Sequence, residues 1–264
     1  MIFSPPEAIE IAERFTRAFP ELQASWYIMG SHASGDAIDL SDVDLAAICR
    51  PLPVDALELG RRLQLPYDGK VDLWLKHPDW INRFPDAQIL PMLNHAILLK
   101  GNELRPGLPE VDLDAYKESI AAGFGQALEH FHRDRRVEVP PEASDEFLGY
   151  VDRAPSWARL ERWTHGIVVL IGKAAGAVAA CEGRTAGSRE EALAQFSSCK
   201  DVGEWPEWSH RCVALLRGSW RYRVPDTLED RRELRKICEA VHGLEELTVD
   251  RLTEAGLTLF RVNR

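Results

Sequence analysis

The five cysteines of this 264-residue chain, at positions 49, 181, 199, 212 and 238, include no CxxC pair, and no histidine stands near them at a zinc-type spacing. An odd, scattered set of this kind excludes a disulfide scaffold and fits reduced thiols in a cytoplasmic protein. Long apolar runs are lacking as well. None approaches the ~20 residues that a membrane span needs, so no membrane partner is expected. The opening stretch MIFSPPEAIEIAERF has no basic segment followed by an apolar core, which predicts no signal peptide. Internal repeats and low-complexity tracts are absent from the sequence. Basic charge is also in short supply, with 32 Lys and Arg against 42 Asp and Glu and a net charge of −10. Residues 1–112 carry 10 basic and 17 acidic side chains, so the deficit is concentrated there. Such a field disfavours a long nucleic acid and favours a cationic acceptor, although ordinary solubilising surface charge gives the same numbers.

What is present suffices for a core: 45% of residues are apolar and 28% charged. Ser4-Pro5-Pro6-Glu7 reads as a helix start, with Ser4 capping, Pro5 in the first turn and Glu7 completing a capping box. Ile9, Ala12, Phe15 and Phe19 then recur at helical spacing. Strands are expected at Ala24–Met29, Asp42–Cys49, Lys70–Lys76 and Ala96–Lys100, with a helix over VDALELGRRL between the second and third. Alternating strands and helices to about residue 110 argue for an α/β unit. The stretch ELRPGLPEVDLD marks a boundary. Beyond it, helices are expected over Tyr116–Arg133, Trp157–Cys181, Arg189–Phe196, Trp208–Trp220 and Thr227–Leu247. Two domains follow, 1–112 and 113–264.

The stretch that points to chemistry is Met29-Gly30-Ser31-His32-Ala33-Ser34-Gly35, followed by Ser41-Asp42-Val43-Asp44-Leu45. Glycine at a strand end lets backbone approach a ligand closely, and Ser31 adds a hydroxyl and backbone N–H groups suited to phosphate oxygens. Two aspartates at i and i+2 on a strand share a face, about 6.5–7 Å apart. Such a pair repels itself near a low-dielectric cleft and calls for cations. Two magnesium ions about 3.5–4 Å apart suit this spacing. Asp72, set among Val71, Leu73 and Trp74, is an awkward lone charge on a strand. If its strand lies beside that of Asp42 and Asp44, three carboxylates converge, and an oxygen-only ligand set selects magnesium or manganese over zinc. Taken singly, Gly-Ser is a generic turn and Asp-Val-Asp an exposed edge; the ordered combination is what is specific.

GSHASGDAIDLSDVDLAAI resembles the signature of the DNA polymerase β-like nucleotidyltransferase superfamily: apolar-Gly-Gly/Ser, a short spacer, then Asp/Glu-x-Asp/Glu. The likeness covers about residues 24–105. It implies an α+β protein, in which a small mixed sheet with flanking helices forms an N-terminal catalytic domain and a helical bundle follows. It further implies that Gly30 and Ser31 hold NTP phosphates and that Asp42 and Asp44 bind two Mg2+ ions. Asp72 would complete the metal site or act as base toward the acceptor hydroxyl. The remainder looks like the bacterial aminoglycoside (streptomycin/spectinomycin) adenylyltransferases, through ERWTHGIVVLIGKAAGAVAACEGR at Glu161–Arg184. That match is loose, needs gaps, and departs in Gly172 and Gly176 inside the helix and in a third carboxylate that is Asp where these enzymes often carry Glu. The resemblance implies transfer of AMP from ATP, or of another NMP from its NTP, to a hydroxyl of a small acceptor of the aminoglycoside class, hence a role in antibiotic resistance.

Secondary candidates each have an ordinary alternative. Lys173, the only charge in residues 166–181, either reaches a phosphate or snorkels from a packed helix. Glu161 either binds a cationic acceptor, acts as base, or is a first-turn acid favoured by the helix dipole. Trp157, Trp163, Trp205, Trp208 and Trp220 form either a wall for a sugar-like ligand or core. His32 either touches a phosphate or is a solvated histidine. Rival functions are an AMP transferase of the toxin–antitoxin type acting on protein or RNA, a helical ribonuclease or binding module built on Arg159 and His165 or on Arg235 and His242, and a catalytically dead nucleotide-binding scaffold.

Overall fold

A computed structural model describes residues 5–79, 86–132 and 136–259, with the side chains of 86–89 left aside. The chain is mixed α+β and divides into two compact units. The first comprises Met1–Val111 together with Pro155–Arg159; the second comprises Asp112–Ala154 and Leu160–Arg264.

In the first unit the order is α1 (Pro6–Ala18), β1 (Gln23–Ile28), α2 (Gly30–Ser34), β2 (Val43–Arg50), α3 (Val54–Gln64), β3 (Val71–Lys76), α4 (Asp86–Asn94) and β4 (Ile97–Lys100). The strands form one sheet in the order β3-β2-β1-β4. β2 runs antiparallel to β1 and parallel to β3, and β4 is antiparallel to β1. The parallel pair requires the crossover that α3 supplies. Alternation along β2 and β3 sorts side chains to two faces. Val43, Leu45, Ala47, Cys49, Val71, Leu73 and Leu75 join the larger core under α1 and α3, where Phe15 meets Trp26 edge-on at 5.3 Å. Ala46 and Ile48 turn to the other face with Tyr27, Met29, Met92 and Ala96, and Trp74 packs against them.

Local expectations need correction at the start of the chain. Ser4 lies outside the described residues. Pro5 is the N-cap and makes no side-chain cap. Glu7 pairs with Lys70 at 3.0 Å, while the capping box expected between it and Ser4 falls on that undescribed residue. α1 buries Ala8, Ile11, Ala12 and Phe15, while Ile9 stays exposed, so the inward stripe is turned from the one expected.

The second unit contains α5 (Leu113–Phe131), a two-stranded hairpin of β5 (Asp152–Arg153) and β6 (Arg162–Trp163), then α6 (His165–Cys181), α7 (Arg189–Phe196), α8 (Trp205–Ala214) and α9 (Leu228–Glu254). α6 is apolar on almost every side and sits at the centre, packed by α5, α7 and α9. Gly172, an anomaly in a helix by propensity, has a packing reason: a Cβ there would lie 2.9 Å from the Arg189 side chain of α7. The helix expected over Trp157–Cys181 begins only at His165, because residues before it form the hairpin and a 3-10 turn at Ser156–Ala158. The helix expected over Trp208–Trp220 begins earlier, at Trp205, and gives way to a π turn at Leu215–Ser219. The expected end of α5 at Arg133 falls outside the described residues. All five cysteines are free, and no described helix is long and apolar enough to cross a membrane.

Candidate metal and phosphate site

The register of β2 and β3 assembles the carboxylates. Asp44 is the partner of Asp72 across the parallel pair, and adjacent strands lie about 4.8 Å apart. Both belong to the face that carries Ala46, Ile48 and Trp74, opposite the larger core. Asp42 does not lie within the strand, which starts at Val43; it immediately precedes it, half-buried, while Ser41 and Val43 on either side are buried.

Charge is compressed at Asp44. Burial pushes its pKa up, the charges of Asp42 and Asp72 push it further, and it reaches about 7. Asp72 is more exposed and accepts a hydrogen bond from the Trp74 indole Nε1 at 2.7 Å. Trp74 therefore belongs with the candidate carboxylates, although the motif does not include it. Its signal was present, since i and i+2 on a strand share a face. The three aspartates are not drawn as close as a single-ion cage: among the described residues, the one trio of His, Cys, Asp or Glu whose ligand atoms all lie within 4.8 Å of one another is elsewhere, in the second unit.

Gly30 follows directly on this cluster. It is the first residue of α2, with φ at +60°, a conformation that favours glycine. A Cβ on it would collide with the Asp44 carboxylate. The amide of Met29 donates to the Asp44 carbonyl oxygen at 2.9 Å, which ties the end of β1 to the start of β2. Ser31 contributes its carbonyl oxygen to the amides of Gly35 and Asp36, and Ser34 donates to the Asp36 carboxylate at 2.5 Å. Gly30, Ser31 and the aspartate at position 44 are thus neighbours in the fold as well as in the motif.

His32 is half-buried rather than solvated. Burial lowers its pKa against the pull of Asp42 and Glu7. Beside it lies a cleft of about 590 Å³ bounded by Glu7, Gly35, Asp39, Ser41 and Lys70. The lining of that cleft includes none of the three aspartates.

Lys173 and Glu161 belong to the second unit. Lys173 is exposed on α6 and its ammonium donates to the Gly123 carbonyl oxygen at 3.1 Å. Glu161 stands in the hairpin rather than in the first turn of a helix, and its carbonyl oxygen accepts from the Ala154 amide at 3.1 Å. Its side chain is exposed and borders a cleft of about 550 Å³ with Arg162, Trp220, Arg223, Asp226 and Arg231. Arg162 is paired with Asp145 and Arg231 with Glu146. Among the tryptophans, Trp163 stacks on His165 at 4.7 Å, and Trp205 meets Trp208 edge-on at 5.3 Å on α8. Arg235 donates to the carbonyl oxygens of Asp145 and Glu146 at 2.9 and 2.8 Å, which commits it to holding that segment. No protein-family model matches the chain, and no curated protein matches its sequence.

Proposed function

We propose that this protein is a magnesium-dependent nucleotidyltransferase that moves a nucleoside monophosphate, AMP from ATP in the first instance, onto a hydroxyl of a small acceptor. The observation that carries this reading is the register that sets Asp44 beside Asp72, with Asp42 two residues before it and Gly30 against the Asp44 carboxylate. Magnesium fits the donor set. It is all oxygen, and burial together with the charges of Asp42 and Asp72, which raise the pKa of Asp44 to about 7, makes a cluster that a bound cation would relieve.

Asp42 and Asp44 would hold the metal, and Asp72 would complete the site from the adjacent strand, its orientation fixed by Trp74. Bound magnesium would supply acidification of the acceptor hydroxyl and neutralisation of charge on the departing pyrophosphate. Gly30 and Ser31 would face the triphosphate with backbone N–H groups, at a point where any side chain on residue 30 would obstruct the carboxylate. Net charge of −10 supports a cationic acceptor, with aminoglycosides the first class to examine.

The test is incubation of the full chain with Mg2+, ATP or GTP and a panel of aminoglycosides and other small hydroxyl compounds, followed by mass spectrometry of the products. Added nucleotide mass on an acceptor, lost in Asp44→Ala, supports the proposal. Absence of added mass on the whole panel, alongside labelling of protein or RNA, would replace the small-acceptor reading with a macromolecular one. Absence of any transfer or pyrophosphate release would end both.

A further inference from the structure

The second unit contains a buried polar centre that nucleotidyl transfer does not use. His132 caps the C-terminal end of α5, and its amide donates to the Leu128 carbonyl oxygen at 2.6 Å. Its Nε2 lies 2.8 Å from Glu245 Oε2 on α9. His242, one turn earlier on α9, places Nδ1 3.6 Å from the same oxygen. The hydroxyl of Tyr150 donates to Glu245 Oε2 at 2.6 Å. The side chain of His132 is 2% exposed and that of Glu245 1%.

Two observations separate this centre from an ordinary buried hydrogen-bond network. Glu245 Oε1 is buried with no hydrogen-bond partner, and an unsatisfied buried carboxylate oxygen is costly. Around Glu245, moreover, the partners are His132, His242 and Tyr150, with no lysine or arginine among the described residues. A buried carboxylate is relieved by a protonated partner or by a bound cation. The three ligand atoms, two imidazole nitrogens and a carboxylate oxygen, all lie within 4.8 Å of one another. The two separations from Glu245 Oε2, 2.8 Å to His132 and 3.6 Å to His242, bracket the ~3.4 Å expected between donors around a tetrahedral ion with bonds of about 2.0–2.2 Å.

We propose that His132, His242 and Glu245 form a binding site for a zinc-class divalent cation that clamps the end of α5 to α9. Nitrogen donors set its preference apart from that of the all-oxygen aspartate cluster in the first unit. Glu245 would use both oxygens, so that Oε1 gains the partner it lacks. His132 would ligate through Nε2 as its Nδ1–H tautomer. Tyr150 would keep its hydrogen bond and hold the carboxylate, while Glu246, whose Oε1 lies 3.8 Å from His242 Nε2, would orient the second imidazole. The depth of His132 and Glu245 makes the ion a cross-link rather than a reaction centre.

The experiment is a Co2+ titration of the full chain, stripped with chelator and kept in excess Mg2+ so that the aspartate cluster is occupied by magnesium. Visible d–d absorption is followed, then Zn2+ is added in competition. One equivalent of Co2+ with four- or five-coordinate intensity, displaced by one equivalent of Zn2+ and accompanied by a rise in Tm, is expected. Glu245→Gln and His242→Gln should each weaken binding at least tenfold. His242 is more accessible than the other two, so its variant decides the matter if Glu245→Gln fails to fold. Binding of unchanged strength in the folded variants, only the weak spectrum of six-coordinate cobalt, thiolate charge-transfer bands that place the ion on cysteine, or no binding would each overturn the proposal.

Discussion

Asp44 and Asp72 face the same side of the sheet from directly paired positions on β2 and β3, and their mutual repulsion, with that of Asp42, adds to burial in holding Asp44 protonated to about pH 7. Neither strand has a reason of its own to concentrate acid at this point. The parallel register makes one polar locus of two separate sequence features, and its consequences are measurable.

Asp42→Ala and Asp44→Ala should each reduce nucleotidyl transfer below one per cent of the parent, a loss of at least ~3 kcal/mol in transition-state stabilisation at ~1.4 kcal/mol per tenfold, with the fold retained by circular dichroism. Turnover above a few per cent in both, with Mg2+ present, would show that these carboxylates do not hold the reacting metal.

Stability should depend on pH through Asp44. Its folded pKa of about 7 stands above the ordinary value of 3.8, so the folded state binds this proton more tightly. Its contribution is therefore fully present below about pH 4 and is lost as pH rises through 7. In metal-free protein, Asp44→Asn should flatten the fall in Tm between pH 5 and pH 8 and stabilise the chain at pH 8 by about 2 kcal/mol. Added Mg2+ should raise the parent's Tm at pH 8 and leave that of the variant nearly unchanged. Equal pH profiles for the two proteins would contradict this.

Gly30→Ala combines a left-handed backbone position with a collision against the Asp44 carboxylate. It should cost about 1–3 kcal/mol in thermal or denaturant unfolding and lower transfer more than tenfold by displacing Asp44. A variant of parental stability and activity would mean that the α2 entry relaxes freely.

Asp72→Asn should lower kcat far more than it raises KM for the nucleotide, because the proposed function sets it at the metal or base position by the reacting oxygen. Trp74→Phe removes the indole donor to Asp72 while keeping an aromatic ring on that face. It should lower kcat several-fold with KM for the nucleotide unchanged. A proportional change in both constants, or none in either, would reduce Trp74 to packing.

The sheet is legible in the sequence because its strands are short β-branched and aromatic runs separated by Gly and Pro punctuation; the helix expected over Arg189–Phe196 is α7, and the Ser188 side chain caps it. What misled was local chemistry overruled by distant partners. The run from Trp157 has helical periodicity, yet Arg159 adopts φ +54° and the pairing of β5 with β6 breaks the helix. α4 includes Pro91, which reads as a breaker. The centre at Glu245 left one trace, a carboxylate on the buried stripe of α9 between Val241 and Thr248; its partner His132 lies 113 positions earlier, beyond any spacing rule.

The order β3-β2-β1-β4 also bears on how this protein reaches its native state. Gly30, Asp42, Asp44 and Asp72 all derive from the contiguous residues 23–76, in which β1 pairs with β2 and β2 with β3 across short connections. β4, at the far edge, is joined to β1 only after some seventy intervening residues. Loop closure makes nearby pairings kinetically cheaper than remote ones. The carboxylate locus can thus be in register before the outer strand docks, and slow or faulty docking of β4 would leave a nascent chain whose acidic end is already formed.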